Sequence, residues 1–248
     1  MFSFLPPIAQ EPYTPQDTQL VVIELLKVAL KPFMAFGIIF HIATIILVGW
    51  MLTNPKPTAR PFYWYVGIDL VLIALAQSFG TTETYGKVIH TGGLVTFIVL
   101  GILWIWVALK GDFAPIKIKV KRRAFLLMPF AVFSFWSPYR VIDNIVLPDF
   151  NPLVLFTSPD YGLAFCFTAP VFLYLSFVIF PKINIPVYRI TAFVGLLYAL
   201  FNLSHWFNPD TRWMGFLHIP LLVLSTAALF QTKKRSLASY KNQTDRKD

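Results

Sequence analysis

Asp69 is the only carboxylate well inside an apolar stretch of this chain, four residues after Tyr65 and eight before Gln77. At helical spacing Tyr65 and Asp69 share nearly one face, and Gln77 follows two turns on. In a hydrocarbon setting a central aspartate costs about 2.5–3.5 kcal/mol, so it is kept for a partner or a use. Two uses fit: a proton donor, or a hydrogen-bonding group between helices. Glu83, in the loop that follows this stretch and just before His90, is a second candidate acid.

All four histidines fall in or at the edges of apolar runs. His41 sits in the middle of the first run. His90, His205 and His218 lie toward the ends of three later runs, and alternation along the chain puts those ends on one side. Tyr198, Asn202 and His205 share a helical face, and Arg140 and Asp143 form an i, i+3 pair at the end of the fourth run. Imidazoles near carboxylates serve acid–base steps. The predicted catalytic set is therefore Asp69, Glu83, His90, His205 and His218. Tyr65, Gln77, Arg140, Asp143, Tyr198 and Asn202 are the predicted substrate-binding set. No pair has the compact spacing of a metal motif, so none of these residues is read as a metal ligand. Cys166, beside Phe165 and Phe167, reads as core, and as the only cysteine it can form no intrachain disulfide. No cofactor is predicted; haem or copper held by histidines from separate helices stays open.

The elements that would position these groups are membrane helices. Of the 248 residues, 56% are hydrophobic and only 13% charged, against about 45–50% and 25% in soluble domains. A span takes about 20 mainly apolar residues. Seven candidates lie near 32–52, 61–80, 88–109, 124–141, 161–180, 188–207 and 213–231. Pro129, Pro170 and Pro220 fall inside spans and predict kinks. The expected fold is all-α and polytopic: an N-terminal segment (1–31), a seven-helix domain (32–231) and a basic tail (232–248). Residues 19–31, with Glu24, Lys27 and Lys31 on one face, suit either an interfacial helix or a longer, tilted first helix.

Lysine and arginine counts set the orientation. Alternate segments hold 16 and 5 of the 21 basic residues. The richer set, which includes the 110–123 loop and the C-terminal tail, is cytoplasmic by this rule. The N-terminus is then outside or lumenal. The net charge of +9 is accounted for by these juxtamembrane anchors facing anionic lipid rather than by a nucleic-acid surface. Residues 1–18 show no cleavable signal peptide. The compartment, endoplasmic reticulum or plasma membrane, is not distinguished. Polar groups thus gather at the outer helix ends, while the inner halves are almost wholly apolar. A polar cavity opening outward follows.

Seven helices starting outside suggest the rhodopsins, but 213–231 has no lysine to hold retinal. In size, span count, sparse intramembrane acids and aromatic content (25 Phe, 10 Tyr, 7 Trp), the chain resembles the small polytopic terpene cyclases of fungal meroterpenoid pathways. The resemblance covers architecture and shares no motif. It implies an aromatic-walled pocket in which an acid protonates an isoprenoid and ring faces stabilise cations. The leading expectation is a membrane-embedded enzyme of the cyclase or isomerase type acting on a lipophilic small molecule. Its partners would be the bilayer and that molecule. The alternatives are a transporter, an accessory subunit bound to a membrane-complex partner, and a histidine-ligated haem or metal protein.

Overall fold

The computed structural model describes residues 2–5, 14, 17–54, 56–116, 121–142, 145–157, 160–209 and 211–244. The chain is mostly helical, and each of the seven apolar runs holds a helix. These are α2 (Gly37–Thr53), α3 (Arg60–Gln77), α4 (Thr91–Lys110), α5 (Arg122–Trp136), α7 (Phe165–Ile179), α8 (Ile185–Asn202) and the pair α9 (Arg212–Leu217) and α10 (Ile219–Thr244). Two shorter helices, α1 (Thr18–Ala29) and α6 (Val154–Thr157), lie outside those runs.

Three helical stretches are long and apolar enough to cross a bilayer: Thr91–Lys110, Ile185–Phe207 and Arg212–Lys233. A fourth crossing would come from α1 and α2, which pass that test together but are bent by 76° at the 3₁₀ turn Lys31–Phe36. That bend favours the separate leading helix over one long tilted first helix. Of the rest, α3 carries Arg60 and Asp69 and falls short in mean hydropathy. The 15-residue helices α5 and α7 reach only about 22 Å at 1.5 Å per residue.

Two small antiparallel sheets interrupt the expected all-α pattern. Strands β1 (Ser3–Leu5), β2 (Phe79–Thr82) and β3 (Gly86–Ile89) pair in the order β1-β3-β2. Strands β4 (Tyr139–Ile142) and β5 (Ile145–Pro148) form a hairpin. Gly86, at φ 68°, closes the β2–β3 turn in the left-handed region that glycine tolerates. Helix α1 packs Val21, Leu25 and Ala29 on Tyr85 and Val88 of this sheet, and Glu24 accepts from the Thr84 hydroxyl at 2.8 Å. The fourth apolar run was expected to be helical to 141. Instead α5 stops at Trp136, where Ser137 adopts φ 50°. The β-branched run that follows pairs as a strand. Arg140 is therefore an exposed strand residue opposite Leu147, not half of a helical pair, and Asp143 lies outside the described residues.

The core is built around α3. Gly67 and Gly101 let α3 and α4 approach so closely that a Cβ on Gly101 would lie 2.8 Å from the Gly67 carbonyl oxygen. Neighbouring helices sort their residues into two ends. At the sheet end, Gln77 Oε1 accepts from Phe165 N at 3.2 Å, and the rings of Phe97 and Phe165 stack at 4.4 Å. At the opposite end, Asn184 N donates to the Tyr63 hydroxyl, and Tyr188 donates to Gln231 at 3.1 Å. Between them Trp104 Nε1 donates to Thr191 at 2.9 Å. The helix continues past 231 through Thr244, so the expected tail is helical along most of its length.

Candidate functional site

A cavity of about 970 Å³ opens at the sheet end among α1, α3, α4, α7, α8 and α9. Its volume lies at the upper end of the usual range for small-molecule sites. Six predicted site residues line it: Gln77, His90, Tyr198, Asn202, His205 and His218. Each is delivered by a helix end. His90 precedes the first turn of α4 and stacks on Phe2 at 5.1 Å. Tyr198 lies one turn before the end of α8, its ring 5.1 Å from Phe97 and 5.4 Å from Phe165. Asn202 closes α8, and its Nδ2 donates to the Tyr198 carbonyl at 2.7 Å. His205 follows in the 3₁₀ turn Leu203–Phe207. His218 occupies the break between α9 and α10, where Pro220 cannot supply an amide hydrogen to continue the first helix.

His205 and His218 are both buried and face each other, with centroids 6.5 Å apart and planes at 24°. His218 Nδ1 lies 2.6 Å from the Met214 carbonyl oxygen. A carbonyl only accepts, so Nδ1 carries the hydrogen and the neutral ring keeps a lone pair on Nε2. His205 Nδ1 is buried without a hydrogen-bond partner among the described residues. Gln77 spends its oxygen on the first free amide of α7, a capping task. Cys166, expected in the core, packs against it and also borders the cavity beside Phe165.

Asp69 and Tyr65 do not line this cavity. They belong to a second polar cluster nearer the middle of the bundle. Asp69 is 1% exposed, and neither carboxylate oxygen has a hydrogen-bond partner among the described residues. Thr44 Oγ1 lies 2.8 Å from the Tyr65 hydroxyl and 2.6 Å from that of Tyr161. Tyr65 in turn donates to the Phe40 carbonyl at 3.1 Å. One direction satisfies every hydroxyl: Tyr161 to Thr44, Thr44 to Tyr65, and Tyr65 to Phe40. His41 lies beside this chain, 4.9 Å from the Tyr161 ring. Its Nδ1 and Nε2 stand 2.9 and 2.8 Å from the carbonyls of Gly37 and Phe135. Because α2 starts only at Gly37, His41 sits one turn into the helix, not at its middle.

Glu83 is exposed on the β2–β3 turn, and Arg140 is exposed on β4; neither borders the cavity. A further acid escaped the sequence reading. Asp160 accepts from the Tyr139 hydroxyl at 3.0 Å. Burial pushes its carboxyl above the ordinary carboxylate range, and the Tyr139 bond offsets part of that rise. This pairing needs the chain to fold back after α5, which spacing alone does not signal. Among the described residues, no three His, Cys, Asp or Glu side chains come together in a group able to hold a metal.

These features define a mostly helical protein with three, or with the bent pair four, helices suited to a membrane and a cavity lined by histidines. No known family, characterised protein or solved structure matches the chain.

Proposed function

We propose that this is a seven-span membrane enzyme that acts on a lipophilic small molecule in the cavity at its sheet end. The sheet end faces outside or the lumen, and the basic loops and C-terminus face the cytoplasm. What carries the reading is the convergence of His90, His205, His218, Tyr198 and Asn202 in one largely apolar cavity. The short helices α5 and α7 cross where the bilayer thins or the helix ends snorkel. His218 Nε2 is the general base, and His205 beside it takes up or relays the proton. General acid–base assistance of this kind contributes about 10²–10⁴-fold. Asp69, the acid that carbocation chemistry would call for, stands apart from the cavity. The reading therefore rests on histidine acid–base chemistry and leaves the terpenoid assignment aside.

The test compares membranes holding the wild type with membranes holding His218→Ala, each incubated with a total lipid extract. A species consumed only by the wild type, with conversion in the variant down about a hundredfold or more, is expected. Equal conversion by both proteins at equal abundance would remove His218 from the chemistry. A lipid that binds to the wild type and is never converted would make the protein a binder or carrier.

A further inference from the structure

The cavity wall formed by α8 is both site and surface. Leu197, Leu200 and Phe201 border the cavity, yet they are 37%, 47% and 71% exposed. They recur at i, i+3 and i+4, so they form one apolar stripe. They also lie within Ile185–Phe207, one of the three membrane-length segments. Across a bilayer such a stripe faces hydrocarbon. The cavity mouth on this side therefore opens into lipid.

The inner end has a different character. His205 and His218 are 2% and 5% exposed, and Asn202 is beside them on the lining. No Lys, Arg, Asp or Glu borders the cavity among the described residues. A phosphate or carboxylate head drawn in beside His205 and His218 would lose its hydration without a charged side chain to face it, which costs several kcal/mol. A neutral head pays far less if its hydrogen bonds are met. The His218 tautomer narrows the choice. With the hydrogen held on Nδ1 by Met214, Nε2 is an acceptor and needs a donor from the ligand. A hydroxyl supplies one; an ether or a ketone does not.

Resting on the proposed function above, we infer that the ligand is an uncharged lipophilic alcohol. It enters sideways from the bilayer past Leu197, Leu200 and Phe201 and donates its hydroxyl to His218 Nε2. The apolar body occupies the aromatic part of the cavity near Phe97 and Phe165. Entry from water, expected from the polar residues alone, is replaced by entry from the membrane.

Photo-crosslinking tests this in lipid nanodiscs containing the full chain. Three diazirine probes share one alkyl chain and end in a hydroxyl, a methyl ether or a phosphate monoester. The alcohol should label peptides from α8 through His218 saturably, about tenfold more efficiently than either other probe, the ratio of a single buried hydrogen bond. His218→Phe should erase the difference between alcohol and ether. In His218→Gln the side-chain amide can still accept, so the alcohol should keep part of its lead. Leu200→Trp, which narrows the mouth at an exposed position, should slow labelling. Equal saturable labelling by ether or phosphate would overturn the alcohol assignment while leaving the cavity as a ligand site. Labelling at an unchanged rate in Leu200→Trp would overturn lateral entry. No saturable labelling by any probe would remove both this inference and the functional reading beneath it.

Discussion

At the scale of single residues, Asp69 and Tyr65 show how neighbouring groups on one helix diverge once partners are counted. Sequence spacing put them on a common face, and both are indeed turned inward. Their hydrogen bonding was not legible, because Thr44 comes from α2 and Tyr161 from the segment before α7. Tyr65 is tied into a three-hydroxyl chain ending on Phe40, whereas Asp69 has two buried oxygens without a hydrogen-bond partner. A buried polar group left unsatisfied costs about 1–3 kcal/mol, while a made hydrogen bond contributes about 1 kcal/mol net. The two positions should therefore respond oppositely to apolar replacement. Tyr65→Phe is expected to destabilise the detergent-solubilised protein by about 1 kcal/mol. Asp69→Leu, close in volume, is expected to leave the thermal midpoint unchanged or raise it. A midpoint that falls as far in Asp69→Leu as in Tyr65→Phe would show that the carboxyl has stabilising partners. The histidines were more legible than the acids. Three of them mark helix ends on one side of the alternating runs, and helix ends are where this bundle opens.

At the scale of elements, hydropathy located a helix in each of the seven apolar runs, since each run supplies apolar side chains to the common core. It placed their ends less well. Apolar strands look like helix continuations in composition, so 139–141 and 88–89 were read as helix, although Ser137 and Gly86 take positive φ and the chain turns there. Close contact between helices left only a faint trace, a glycine in each of two apolar runs. Gly101 faces the Gly67 carbonyl and the Val71 amide of α3, so an added Cβ would meet backbone at 2.8 and 3.2 Å. Backbone cannot rotate away as a side chain can. Gly101→Ala is thus predicted to cost about 1–3 kcal/mol through forced separation of α3 and α4. Gly49, with nothing within 4 Å of its added Cβ, is the control: Gly49→Ala should stabilise slightly through helix propensity, by up to about 1 kcal/mol. Thermal melts of both variants in one detergent check the contrast. Equal behaviour would mean that the α3–α4 contact is looser than its geometry.

At the scale of the whole molecule, the proposed seven crossings join two independent facts. Basic residues were counted from the sequence without knowledge of contacts, and the contacts sort helix ends without knowledge of charge. Lys56, Lys121 and Lys182 all fall in connections at the end opposite the sheets, and Glu83, Arg140 and Arg212 fall at the sheet end. All six are exposed. Buried His205 and His218, although nearer the site, are poorer reporters of sidedness, because a reagent could miss them from either face. Single cysteines at the six exposed positions, in a Cys166→Ala background, give the sharper test. With sealed cells or oriented vesicles and a membrane-impermeant maleimide, Glu83→Cys, Arg140→Cys and Arg212→Cys should label from the outer or lumenal side. Lys56→Cys, Lys121→Cys and Lys182→Cys should label only after permeabilisation. Each adjacent pair tests one crossing: 56 with 83 tests α3, 83 with 121 tests α4, 121 with 140 tests the short α5. Then 140 with 182 tests α7, and 182 with 212 tests α8. If positions 121 and 140 labelled from the same side, α5 would be re-entrant, and the basic 110–123 loop would be separated from the other cytoplasmic anchors. If all six labels reversed sides together, the bundle would be inverted, and the cavity mouth would open into the cytoplasmic leaflet.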